Sequence, residues 1–179
     1  IVLGVDAALI RSGWAILDDG VLAASGVIEV KAGEPRWEQL WDIHRQAVAI
    51  CKTYWPDVVA IEDSAKWQGA SGNSLAGVQA LAQARAAFML AAMHDEVGSP
   101  RIVLMDSHHV RDLLCGNRNA GKDEVRRNLK IRGYDLPMRT ERHRVGGKMV
   151  TTEEIDPDVA DAVGLAAMVY GEERLRRRG

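Results

Sequence analysis

Two short apolar runs in this chain end in a carboxylate. Ile1-Val2-Leu3-Gly4-Val5 leads into Asp6, and Val58-Val59-Ala60-Ile61 leads into Glu62. Runs of this length read as buried strands, and a charge at the end of such a strand is costly to bury unless it is paired or holds a metal. Two more acids, Asp158 and Asp161, stand three residues apart near the end of the chain. On a helix that spacing points both side chains the same way. If the two strands are neighbours and the helix crosses their ends, all four acids converge on one site suited to a hard cation. The acids therefore restrict the fold: the two strands must lie side by side in a sheet, with a late helix over their ends.

Singly, each acid has a local explanation. Asp6 can cap the turn after its strand, and Glu62, beside Asp63, can pair with Lys66. Asp158 follows Pro157 in a first helical turn, where negative charge complements the helix dipole. None of these explanations requires convergence, whereas a shared site does. Magnesium takes oxygen ligands, one or two carboxylates per ion, with water and substrate phosphate completing its shell. Two such ions about 4 Å apart can activate the attacking water and stabilise the leaving oxygen in phosphodiester cleavage. A basic side chain near the scissile phosphate stabilises charge there.

A net charge of −2 over 179 residues suits a nucleic-acid enzyme only once it is divided along the chain. Residues 1–100 have a balance of −5, residues 101–150 of +6 and residues 151–179 of −3. A phosphate backbone responds to a local basic patch rather than to the total, although a basic stretch is also the ordinary make-up of a solvated face. The apolar fraction of 47% fits one globular domain, residues 1–179, that buries a core without disulfides or a structural metal. Cys51 and Cys115 have no CxxC spacing and read as small helix hydrophobes in a reducing, cytoplasmic compartment. No apolar run approaching about 18 residues and no signal peptide are visible, so no membrane association is predicted.

Strands are predicted over residues 1–6, 13–18 and 21–30, the last two joined by Asp19-Gly20, a strong hairpin signal. Trp37, Leu40, Trp41, His44, Val48 and Cys51 recur at helical steps over residues 35–55, between Pro35 and Pro56. A strand at 58–62, a Gly/Ser-rich loop at 68–73 and a long helix over 74–95 follow, with Asn73 or Ser74 as its cap. Gly77, Ala80, Ala84 and Ala87 give that helix a small-residue side, suited to tight packing on a sheet or to contact with a second copy. Then come a strand at 101–106, a helix from about Ser107, a basic helix over 122–132, a Gly- and Arg-rich loop over 133–152 and a last helix over 157–178. The order predicts an α/β fold: a mixed sheet of three antiparallel strands followed by parallel ones, with helices on both faces.

Five segments stand in a telling order. They are Leu3-Gly4-Val5-Asp6 with Ser12-Gly13-Trp14-Ala15; Val59-Ala60-Ile61-Glu62; Leu81-Ala82-Gln83-Ala84-Arg85; Val110-Arg111 with Gly116 through Lys122-Asp123-Glu124-Val125; and Asp158-Val159-Ala160-Asp161-Ala162. In that order they resemble the RuvC family of Holliday-junction resolvases, nucleases with an RNase H-like fold. The resemblance runs from Ile1 to about Tyr170. It implies a crossover-junction endonuclease of DNA recombination and repair, acting as a homodimer on four-way junctions. By the same resemblance, Asp6, Glu62, Asp158 and Asp161 would be catalytic ligands of Mg2+, with Mn2+ as substitute. Lys122 would assist at the phosphate and Arg111 would contact DNA. Arg118, Arg126, Arg127 and Lys130 extend the basic segment as DNA-binding candidates, and the small-residue side of the 74–95 helix becomes a candidate dimer contact.

The chain departs from the family pattern in three places. Ala7-Ala8 stands where the family has Pro-Gly, and alanine lacks glycine's freedom at positive φ. Trp67 is offset from the family's aromatic position, where it would stack on a base at the junction centre. The 133–152 stretch is long, and its Arg139, Arg142, Arg144 and Lys148 are suited to gripping the DNA backbone. Two rival readings are an RNase H-type ribonuclease acting on RNA–DNA hybrids and a junction-binding module without catalysis. The second is disfavoured because four acids facing phosphates gain a pure binder little.

Overall fold

A computed structural model describes residues 1–63, 74–145 and 148–177. Lys66, Trp67, the 68–73 stretch and Arg178 lie outside the described residues. Five strands, β1 (Val2–Asp6), β2 (Arg11–Asp18), β3 (Val21–Glu29), β4 (Val58–Glu62) and β5 (Arg101–Met105), form one sheet in the order β3-β2-β1-β4-β5. β1, β2 and β3 pair antiparallel, and β4 runs parallel to both β1 and β5. This is the predicted mixed sheet, with β1 at its centre. Asp19 and Gly20 both hold positive φ between β2 and β3, as a type I′ turn demands.

Successive strand residues face opposite sides of the sheet, and the sequence alternates accordingly. Val2, Ala15, Leu17, Val58 and Ala60 face the helices α3 (Ser107–Cys115), α4 (Lys122–Ile131) and α5 (Pro157–Arg176). Leu3, Val5, Ile16, Val59 and Ile61 face α1 (Arg36–Tyr54) and α2 (Leu75–Ala92). Helix caps follow local chemistry: Ser74 Oγ accepts from Gly77 N–H, and Asp106 accepts from His108 N–H at 2.7 Å. Asp156 caps α5 with Pro157 at its first position.

Helix α5 lies unusually close to the sheet. A Cβ on Gly4 would come within 2.9 Å of both Cβ and N of Ala166, and a Cβ on Gly13 within 2.8 Å of Val159 N. Glycine at these two positions lets the helix seat directly on β1 and β2, and Ala160, Ala162 and Ala166 keep the facing side of α5 thin.

The structure corrects several expectations. The 133–152 stretch is no loop: β6 (Met138–Val145) and β7 (Lys148–Ile155) pair antiparallel as a separate two-stranded sheet. In the sequence Gly146-Gly147 stands between them, a two-residue hairpin signal outweighed by the density of charge around it. On α1 the buried stripe is Gln39, Ile43, Ala47 and Cys51, while Trp37 and Trp41 are exposed. Of the small-residue side of α2, Ala84 and Ala87 are buried within the chain itself, in keeping with the tight-packing alternative. Finally, α2 is long and apolar enough, by length and composition, to cross a membrane, with Arg85 its one charge. Here it packs on α1 and buries Ala84, Ala87, Phe88, Ala91 and Ala92, so its apolar character serves a layer of the fold.

Candidate active site

The parallel register Val5↔Ile61 brings the ends of β1 and β4 together, with Asp6 and Glu62 at the same edge. Across β1, Asp6 lies in register with Gly13 of β2. The turn after Asp6 needs no glycine: neither Ala7 nor Ala8 adopts positive φ. It is closed by the buried Ser12, whose hydroxyl donates to the Ala8 carbonyl at 2.6 Å and accepts from the Ala8 N–H at 2.9 Å. The Ala7-Ala8 departure is thus accommodated by one side chain.

Burial pushes the Asp6 carboxyl well above the usual carboxylate range. Glu62, close enough to share a proton with it, and Asp161 push it further, while Lys122 pulls the other way. Burial also raises Asp161; Lys122 and Arg111 oppose that shift and Glu62 adds to it. Lys122, the first residue of α4, places its Nζ 3.1 Å from Asp161 Oδ2. Glu62, Arg111 and Asp161 line one small cleft with Ser107 and Val125, a space of about 30 Å³. Three acids and two cations from five separate elements of the chain therefore meet at the strand ends.

Asp158 is held differently. Its carboxylate accepts from Arg11 Nη1, and the same guanidinium reaches Asp156 and, through Nε at 3.0 Å, Glu29. This partly covered fork makes Asp158 the partner of a fixed cation at the start of β2. Among the described residues no group of three His, Cys, Asp or Glu side chains is placed to hold a metal ion. The predicted quartet thus appears as a trio of Asp6, Glu62 and Asp161 beside Asp158, which is tied to Arg11. Neither Arg11 nor Asp156 was singled out from the sequence. Asp156-Pro157 carries a cap signal that marks Asp156, whereas nothing local marks Arg11.

The basic candidates divide. Arg126 and Lys130 follow Lys122 at four-residue steps on α4 and form a stripe leading away from the cleft. Arg126 is mostly covered and pairs with Asp123 at 3.2 Å, while Arg127, Lys130 and Arg118 are exposed. Arg118 offers its carbonyl to His108 Nδ1 at 3.0 Å, tying its loop to α3. Arg85, from the long-helix motif, pairs with Asp63, the residue after Glu62, and so anchors α2 to the same edge. Trp67 lies outside the described residues.

A central β1–β4 pair ending in half-buried acids, with a helix crossing over, is the RNase H-like fold. The model of the family "Crossover junction endodeoxyribonuclease RuvC" matches residues 2–133. The chain belongs to the RuvC family of crossover junction endodeoxyribonucleases, hydrolytic nucleases that use divalent metal ions. It is 28% identical to the RuvC of Afipia carboxidovorans over 134 residues, 73% of this chain and 74% of that protein. Its fold is similar to that of Thermus thermophilus RuvC in complex with Holliday junction substrate: TM-score 0.72, 20% identity, 98% of this chain and 95% of the other. Against a second Thermus thermophilus RuvC structure the TM-score is 0.68 at 21% identity, covering 98% and 96%. The yeast mitochondrial Holliday junction resolvase Ydc2 gives 0.59 at 10% identity, covering 99% and 82%. At these identities the structural matches speak to the fold alone.

Proposed function

We propose that this chain is a single-domain, Mg2+-dependent endonuclease that cleaves four-way DNA junctions, with Mn2+ able to substitute. The observation that carries this reading is the mutual repulsion of Asp6, Glu62 and Asp161 at one buried edge. Buried like charges persist only where something balances them, and Lys122 and Arg111 do so in part. An all-oxygen donor set fits a hard cation that needs one or two carboxylates and fills its shell with water and phosphate. When bound, that cation supplies an activated water and charge neutralisation at the phosphate.

Asp6, Glu62 and Asp161, which are not at ligand spacing as they stand, would draw together to hold it, and Asp158 would join them once released from Arg11. Lys122 sets a positive charge beside Asp161, where it would face the scissile phosphate. Arg111 and the α4 stripe of Arg126 and Lys130, flanked by Arg127 and Arg118, would bind the DNA backbone, and Trp67 a base at the junction centre. The chain would act as a homodimer. The exposed Trp37 and Trp41 of α1, with Leu90 of α2, border an apolar hollow of about 370 Å³ and support that face as the contact. Free Cys51 and Cys115 accord with a reducing, cytoplasmic setting.

The test is cleavage of a four-way junction with and without magnesium, alongside fork, flap, duplex and RNA–DNA hybrid substrates. Magnesium-dependent nicking of the junction in preference to the others is the expected result. Preference for the hybrid, or cutting unaffected by chelator, would overturn it.

A further inference from the structure

The β6–β7 ribbon lies beyond residue 133, where the match to the family model ends. Among the described residues it pairs with no strand of the main sheet. Its register is unbroken from Met138↔Ile155 at the base to Val145↔Lys148 near the tip. The base is fastened where Asp156 N–H donates to the Pro137 carbonyl at 2.9 Å. Asp156 is also the cap of α5, the helix that carries Asp158 and Asp161. The ribbon therefore springs directly from the edge of the acid site. At about 3.3 Å per residue, its eight-residue strands reach roughly 26 Å outward.

Charge is divided along that length. At the base, Arg139 pairs with both Glu141 and Glu154, and Glu153 stands beside them. The distal segment, residues 142–151, contains Arg142, His143, Arg144 and Lys148 and no acid. An isolated hairpin is marginal in water, and a run of cations with no acid among them adds repulsion that an anionic partner would relieve. A protein partner would be met by mixed charge or an apolar patch. A cation-rich segment with no acid in its own sequence, on a ribbon that springs from a phosphodiester-cleaving site, instead matches a phosphate backbone. The shape agrees, since the major groove, about 12 Å wide, admits a two-stranded β-ribbon.

We propose that the β6–β7 ribbon is a DNA-binding arm that lies along one duplex arm of the branched substrate, its distal cations on the phosphates. This rests on the nuclease reading above. The test is junction binding in the presence of a chelator, measured across a salt series. The variants are Arg142→Gln/Arg144→Gln/Lys148→Gln and the charge-preserving Arg142→Lys/Arg144→Lys/Lys148→Arg. Loss of three phosphate contacts lowers the slope of log affinity against log salt by about 2.7. Between roughly 50 and 200 mM salt the wild type should then lose about 40-fold more affinity than the glutamine variant. The charge-preserving variant should keep the wild-type slope.

A glutamine variant with the wild-type slope overturns the proposal, as does an equal loss in both variants, which would assign the effect to the ribbon's fold. An unchanged slope with altered oligomeric state would assign the ribbon to self-association and overturn it too. Wild-type junction cleavage in the same preparation separates these outcomes from failure of the nuclease reading itself.

Discussion

Gly13→Ala tests how tightly the acid site depends on the seating of α5. Gly13 lies across from Asp6 in the β1–β2 register and directly beneath the start of α5. A methyl group there would overlap the Asp158 backbone carbonyl and stand 2.8 Å from Val159 N. Ordinary contact needs about 3.5 Å, so helix and strand must part by at least roughly 0.7 Å. Overpacking of this kind costs about 1–3 kcal/mol of stability. The displaced segment carries Asp158 and Asp161, and a shift near 1 Å in reacting groups costs on the order of 100-fold in rate. Junction cleavage should accordingly fall about 10- to 100-fold, with a lowered urea midpoint. Gly4→Ala, which meets Ala166 about two turns further along α5, should cost similar stability with a smaller loss of rate. Wild-type stability and rate in Gly13→Ala would refute the reasoning, as would equal rate losses in the two variants.

Asp6→Asn should abolish cleavage and leave junction binding intact. It should also raise the stability of the metal-free protein at neutral pH. The Asp6 pKa is raised on folding, so its penalty is complete above the folded pKa and vanishes as pH falls to the unfolded value; urea midpoints in chelator at neutral and acid pH would show this gain and its loss. Arg11→Gln should cost about 1–3 kcal/mol, the worth of hydrogen bonds to charged groups, because Asp156 and Asp158 lose their shared cation; an unchanged thermal midpoint would contradict the latch. Trp41→Glu should shift any dimer to monomer in light scattering without unfolding the chain, since Trp41 is exposed within it. Burial raises the Cys51 thiol to about 11, so it should resist alkylation at mildly alkaline pH until urea is added, as peptide mass mapping would report.

The sheet was legible because its code is local. Alternation in Val2-Leu3 and Val58-Val59 assigns each side chain to a face, and Asp19-Gly20 names its own turn. The acids at the ends of β1 and β4 were legible for the same reason. The ribbon was missed because charge density at 139–148 masked the strand signal. The exposure of Trp37 and Trp41 was not legible, because helical periodicity reports an apolar side, not whether this chain or another covers it. The small-residue side of α2 left two alternatives open in the sequence, because close packing inside a chain and between chains asks for the same residues.

What the sequence alone determined is the order of strands and helices, the caps, and which carboxylates end up at strand ends, since each follows from neighbours within a few residues. Only the tertiary structure decided how those carboxylates divide. Arg11 and Asp158 are separated by 147 residues, and no local pattern couples them. Their pairing exists because Gly4 and Gly13 let α5 settle onto the sheet, bringing one guanidinium within reach of the helix start. Whether an acid at a strand end is paired with a fixed cation or left facing other acids is settled by distances of a few ångströms between remote segments, where Coulomb energy in a buried edge changes steeply.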